Sequence, residues 1–164
     1  MKSIYLVGFM GSGKSTVGRQ LAKRLSCAFI DTDVEIEYIQ NKTIKEIFAD
    51  EGEEAFRAYE YQVLKDSPFE GHVISTGGGI IEQSVNREWL KGKKVIYLKA
   101  SWSTIYHRLK HDENRPIWQD NTRDKEKLLQ EREVKYLEVA MYVVETDRMQ
   151  TEKIVDHILS LMNE

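Results

Sequence analysis

Apolar positions along the chain fall into short continuous runs separated by longer stretches of helical periodicity. Ser3–Gly8, Ala28–Asp31, His72–Ser75, Lys94–Leu98 and Tyr142–Glu145 read as strands, and the first is apolar throughout, as expected of a strand covered on both faces. Between them, Val17, Leu21, Ala22 and Leu25 recur at helical spacing from Lys14 to Leu25. Charge-rich helical patterns cover Ile36–Ile39, Ile44–Ala49 and Glu53–Lys65; others cover Thr104–Lys110, Lys125–Ala140 and Glu152–Met162. Asp112–Asp124 is polar, holds Pro116 and reads as a mobile loop. Strands alternating with helices predict an α/β fold on a parallel sheet, with right-handed crossovers and ligands beyond the carboxyl ends of the strands.

Composition narrows this picture. With 164 residues, 41% of them hydrophobic and 31% charged, the chain suits one globular domain rather than a disordered segment. Lys and Arg total 24 against 27 Asp and Glu, a net charge of −3, so the overall field does not favour nucleic acid. Any anion must be captured by local geometry. No apolar run approaches the ~18 residues of a membrane span, and no cleavage site follows the N-terminal apolar run, so the expectation is a cytoplasmic protein. Cys27 is the single cysteine, which rules out an internal disulfide. His107 and His111 share a helical face, but no Glu follows His107 and the surroundings are basic, so they read as solvated residues rather than a metal pair.

The glycines are not spread evenly; they gather at residues 8–18 and 77–79. Gly8-Phe9-Met10-Gly11-Ser12-Gly13-Lys14-Ser15 satisfies G-x-x-x-x-G-K-[ST], between a predicted strand and a predicted helix. Glycines there let backbone N–H groups turn inward around an anion, and the helix start adds positive potential. Gly11, Ser12, Gly13, Lys14, Ser15 and Thr16 are thus candidate ATP-binding residues, Lys14 reaching the outer phosphates and Ser15 ligating Mg²⁺. The guanine-reading N-K-x-D is missing, since Asn41-Lys42-Thr43-Ile44 lacks the Asp.

Asp31-Thr32-Asp33 closes the second strand. At a period of two both carboxylates point the same way, one suited to holding water on Mg²⁺ and the other to accepting a proton from an attacking hydroxyl. The competing reading is structural, with Asp33 capping the next helix.

These segments together resemble the shikimate kinase family. The resemblance spans nearly the whole chain and is carried by Gly8–Gly18, Phe29–Asp33, Ile44–Glu60 (IKEIFADEGEEAFRAYE), Gly77-Gly78-Gly79, Arg115-Pro116 and Arg132-x-x-x-Tyr136. It implies a P-loop NTPase of adenylate-kinase-like, three-layer α/β/α form, with a five-stranded parallel sheet, a helical substrate segment over 34–65 and a mobile lid over 112–124. It implies ATP-dependent phosphorylation of the 3-hydroxyl of shikimate in aromatic amino-acid biosynthesis, with one Mg²⁺, no nucleic-acid or membrane partner, and a monomer. By the same resemblance Asp33 contacts the substrate hydroxyls, Asp31 lies near Mg²⁺ through water, and Arg57 and Arg132 grip the substrate carboxylate. Gly78 contacts substrate, Arg108 lies against the adenine, and Arg115 covers the transferring phosphoryl group beside Lys14. Closure of the lid and of the helical segment is expected to exclude water.

Arg57 also lies three residues from both Glu54 and Glu60, so intrahelical ion pairs are its alternative explanation. Exposed pairs contribute only ~0.3–0.5 kcal/mol, a weak reason for this residue type, whereas a planar guanidinium matches a carboxylate bidentately. Ser75 stands where many P-loop proteins carry a Walker-B Asp. Two features depart from the family pattern: Ile117-Trp118 follow the lid Arg-Pro, and Met149 stands near the adenine end without a Pro. A kinase of another polyol acid, such as gluconate, and a non-catalytic nucleotide-binding module remain the alternative functions.

Overall fold

A computed structural model describes residues 1–110 and 124–164. In chain order the elements are β1 (Ile4–Val7), α1 (Lys14–Arg24), β2 (Ala28–Asp31), α2 (Thr32–Gln40), α3 (Ile44–Lys65), β3 (His72–Ser75), α4 (Ser84–Leu90), β4 (Lys94–Lys99), α5 (Trp102–Leu109), α6 (Lys125–Val139), β5 (Tyr142–Glu145) and α7 (Thr151–Met162). The lid expected over 112–124 falls outside the described residues except for Asp124, which caps α6 by accepting the Lys127 N–H at 3.1 Å. Arg115, Ile117, Trp118 and His111 lie outside them too.

All five strands are parallel, in the order β2-β3-β1-β4-β5. β1 is central, and alternation along it divides the core. Ile4 and Leu6 face a cluster with Val17 and Leu21 of α1 and Ile154, Val155 and Ile158 of α7. Tyr5 and Val7 face the opposite cluster, with Leu64, Leu90, Ile105, Leu129 and Tyr136 contributed by the other helices. The result is the three-layer α/β/α arrangement expected from the sequence. No helix among the described residues is long and apolar enough to cross a membrane.

Three local features depart from the periodicity reading. α2 begins at Thr32, four residues before the expected Ile36, because Asp31 rather than Asp33 is its N-cap, accepting the N–H groups of Asp33 at 3.0 Å and Val34 at 3.3 Å. Asp33 therefore sits in the first helical turn, and its alignment with Asp31 along a strand does not exist. Second, the two segments 44–49 and 53–65 form one element broken only at Gly52, whose φ of 88° and ψ of 169° no side-chain-bearing residue adopts readily. Third, α4 has no counterpart in the sequence reading. Its seven residues carry only two fully buried side chains, Asn86 and Leu90, too few to give a periodic signal.

The turn from α2 to α3 is tightly specified. Thr43 Oγ1 accepts the Glu46 N–H at 3.1 Å, Glu46 Oε2 accepts the Thr43 N–H at 2.8 Å, and Glu37 Oε2 accepts the Ile44 N–H at 2.9 Å. Ile36, Ile47 and Phe56 then form a small apolar cluster of their own. Thr43→Ala is expected to lower unfolding free energy by about 1 kcal/mol through loss of the cap, read as a lower urea midpoint with an unchanged m-value.

Candidate active site

The carboxyl ends of β1, β2 and β3 converge on a cavity of about 390 Å³, lined by the phosphate loop, Asp31, Asp33, Gly77, Gly78, Arg108 and Met149. The loop adopts the anticipated strand-to-helix form. Gly13 stands at the N-cap of α1 with φ 93°, and the Ser12 N–H donates to Phe9 O at 3.1 Å. Lys14 is buried, its Nζ donating to Gly8 O at 2.6 Å and Phe9 O at 3.0 Å, so the ammonium lies within the loop. Gly11, Ser12, Gly13, Ser15 and Thr16 all line the cavity. Arg108 donates to Gly11 O at 2.8 Å, which fixes it at the rim beside Met149.

Asp31 links this loop to α2. While Oδ1 caps the helix, Oδ2 accepts the Ser15 hydroxyl at 2.6 Å, and Ser75 Oγ lies 3.5 Å from Ser15 Oγ. One carboxylate and two hydroxyls form a hard-oxygen donor set, suited to Mg²⁺ shared with phosphate oxygens and water. Among the described residues no group of three or more His, Cys, Asp or Glu is placed to hold a metal unaided.

On the far side of the cavity stands the Gly77–Gly79 turn. An ideal Cβ at Gly77 would lie 2.7 Å from Glu60 Oε2 and 2.8 Å from Asp33 Oδ1, and one at Gly79 would collide with the Arg57 guanidinium. The side chains of Asp33 on α2 and of Glu60 and Arg57 on α3 thus already account for the glycines at 77 and 79. Gly78 is half-exposed in the cavity, and its carbonyl accepts the Tyr136 hydroxyl at 2.5 Å. Burial pushes the Tyr136 phenol well above its ordinary range, so it donates at any physiological pH.

Arg57 and Arg132 meet at this turn from different helices. Arg57 Nη1 donates to Glu60 Oε1 at 2.5 Å and Nη2 to Glu53 Oε1 at 3.3 Å, so its second partner is Glu53 rather than Glu54. The main pair is not the exposed one that the alternative explanation supposed: Arg57 and Glu60 are 6% and 0% exposed. Burial pulls the Arg57 guanidinium down, but Glu60 and then Glu53 outweigh it and hold it charged. Arg132 is 1% exposed, stands over the Phe9 ring at 5.6 Å, and has no hydrogen-bond partner for Nε or Nη2 among the described residues. Buried guanidinium donors without partners are costly, and a carboxylate is the group that satisfies them bidentately. Glu60, unassigned by the sequence reading beyond an ion pair, turns out to be central. Its i,i+3 spacing from Arg57 was the available signal, and only burial distinguishes it from a surface pair.

A kinase-type P-loop fold, with a phosphate loop on one side of the glycine turn and two buried arginines, Arg57 and Arg132, on the other, is therefore defined. The shikimate kinase family model matches residues 10–163, and the chain belongs to that family. The shikimate kinase of Bacillus cereus strain AH187 is 42% identical over 165 aligned positions, covering 100% of both chains, and that of Bacillus mycoides strain KBAB4 is 40% identical with the same coverage. Among solved structures, the shikimate kinase of Acinetobacter baumannii in complex with shikimate superposes with a TM-score of 0.93 at 41% identity, covering 99% of this chain and 93% of that one. Deoxyadenosine kinase of M. mycoides, at 18% identity over 99% of this chain and 100% of that one with a TM-score of 0.63, shares the fold alone.

Burial, opposed by Arg57 and reinforced by the negative charge of Asp33, pushes the Glu60 carboxyl up from 4.5 to about 7. A carboxyl raised in the folded state contributes stability that is full below its unfolded value and is lost as pH rises through the folded one. Glu60→Gln is expected to flatten the fall in stability between pH 4.5 and about 7, read from urea midpoints across that range. An unchanged slope would place the titration elsewhere.

Proposed function

We propose that this chain transfers the γ-phosphoryl group of ATP to the 3-hydroxyl of shikimate, giving shikimate 3-phosphate and ADP on the route to aromatic amino acids. Family membership supports the reaction. The observation that carries the site assignment is the pair of buried donors on Arg132 with no hydrogen-bond partner among the described residues, beside Arg57 and on the same glycine turn that meets Asp33.

In this reading the phosphate loop holds the β- and γ-phosphates through its N–H groups and Lys14, with Thr16 and Arg108 completing the nucleotide side. Arg57 and Arg132 take the acceptor carboxylate, Gly78 meets the ring substituents, and Asp33 orients the attacking hydroxyl and accepts its proton. A bond forms between that oxygen and the γ-phosphorus, the bond to the β–γ bridging oxygen breaks, and ADP leaves with the electron pair. Positioning and preorganised charge supply most of the acceleration. Mg²⁺ suits the Ser15–Asp31 pair and would neutralise charge developing on the phosphates. Arg115, from the lid segment 112–124, is assigned to the transferring phosphoryl group on the family resemblance. One copy contains both half-sites, which supports a monomer, and the substrates are small molecules of the cytoplasm.

A coupled ADP-release assay against shikimate, gluconate and nucleoside monophosphates tests the reading, and turnover with a nucleotide acceptor alone would overturn it. Asp33→Asn is expected to keep ATP binding and lose roughly 10²–10⁴-fold in kcat. For Arg57→Ala the acceptor KM should rise by an amount equivalent to about 1.5–3 kcal/mol, with the KM for ATP unchanged; a wild-type acceptor KM would remove Arg57 from the clamp.

A further inference from the structure

Beside Arg132 stands a further carboxylate that the proposed phosphoryl transfer does not use. Glu82 follows the glycine turn, and its backbone is fixed at both ends: its N–H donates to Gly79 O at 3.1 Å, and its carbonyl accepts Arg87 Nη1 at 3.0 Å. Only the side-chain torsions remain to place the charge. Oε1 accepts Lys135 Nζ at 3.0 Å, while Oε2 stands 3.8 Å from Arg132 Nε, beyond hydrogen-bonding range. Lys135 and Arg132 are one turn apart on α6, so the same helix presents the clamp and the group that restrains its neighbour. Partial burial pushes Glu82 up, yet the bond from Lys135 and the charges of Arg132, Lys135 and Arg57 hold it below the usual carboxylate range, and it is anionic at neutral pH.

A negative oxygen this close to an unsatisfied guanidinium N–H competes with any carboxylate brought to that arginine. What prevents contact is the pull of Lys135 on the other oxygen. We propose that Glu82 is a resident competitor for Arg132 and that Lys135 holds it off, so that the pair sets how strongly the site takes a carboxylated acceptor. Both are positioning residues, acting through Arg132, and the inference rests on the reading that Arg132 binds the acceptor carboxylate.

The two residues then have opposite effects. Removing the charge of Glu82 leaves the field of Arg132 unopposed and tightens acceptor binding. Removing Lys135 releases Glu82 onto Arg132 and weakens it. With Glu82 neutralised, the loss of Lys135 has nothing left to release. An ordinary half-exposed ion pair behaves differently, changing stability slightly and acceptor binding not at all.

The test is steady-state kinetics of the full chain at low ionic strength, with shikimate and its methyl ester as acceptors, for Glu82→Gln, Lys135→Met and the double variant. Glu82→Gln is expected to lower the shikimate KM by about threefold to tenfold and Lys135→Met to raise it by a similar factor, the range of coupling between contacting charged neighbours. The double variant should follow Glu82→Gln. kcat and the KM for ATP should stay within about twofold, and thermal midpoints report that the fold is intact. With the methyl ester these differences should collapse, because the uncharged group does not compete for Arg132. A shikimate KM that is unchanged or raised in Glu82→Gln, or a Lys135→Met effect that persists in the Glu82→Gln background, overturns the proposal. Failure of the carboxylate reading looks different: the wild-type enzyme would then use ester and acid with the same KM.

Discussion

Three consecutive positions without side chains, Gly77 to Gly79, are the constraint on which the acceptor side of the site depends. The space a Cβ would occupy is already taken by Asp33 from α2 and by Glu60 and Arg57 from α3. Gly78 in turn lies against the backbone of Met10 in the phosphate loop and near Arg132 from α6. The phosphate loop and the charged groups of α2, α3 and α6 are thereby brought to one turn at the end of β3, between β1 and β2 in the sheet. In regular structure each glycine costs ~0.5–1 kcal/mol of backbone entropy relative to Ala, and close convergence of charged groups is what that cost provides here.

A second consequence concerns charge. Desolvating an ion pair often costs as much as the pair returns, so the buried Arg57–Glu60 contact is weak evidence for stability. Its position is better explained by what the two groups do to each other: Glu60 keeps Arg57 charged and oriented, and Arg57 opposes the upward push of burial and of Asp33 on the Glu60 carboxyl. Arg132 differs: among the described residues its Nε and Nη2 make no hydrogen bond, and Glu82 Oε2 comes only to 3.8 Å of Nε. A chain with a net charge of −3 thus buries cationic groups at two points, Lys14 within the loop and the arginines beyond the glycine turn, the latter set among carboxylates.

The sheet and the phosphate loop were legible in the sequence because their signals are local. Five short apolar runs and one G-x-x-x-x-G-K-S segment sit in the order that a parallel sheet requires, and the strand ends fall where expected. Less was readable where a residue's role depends on a distant neighbour. Periodicity aligned Asp31 and Asp33 as strand residues, but capping chemistry starts α2 at Thr32 and turns the two carboxylates to different tasks. Glu60 resembled a surface ion-pair partner, and only the packing of α3 beneath the glycine turn shows it to be fully buried. Glu82 and Lys135 are 53 residues apart and belong to no motif, so no spacing rule connects them. Glu53 and Glu54 stand four and three residues before Arg57, both spacings that bring side chains together on a helix, so side-chain geometry decides the pairing with Glu53.

Asp31 has an implication for how the two halves of the enzyme age and adapt together. Its two oxygens serve separate masters, one the start of the acceptor-side helix and the other the hydroxyl of the nucleotide loop. The oxygen that faces the loop is thus separate from the one that starts α2, and the helix cap does not depend on the Ser15 contact. Substitution at this residue strikes both halves at once, and even Asn, which preserves the cap, surrenders the anionic oxygen. Ser75, one strand away, reaches only the Ser15 hydroxyl, at 3.5 Å, and so bears on the loop alone.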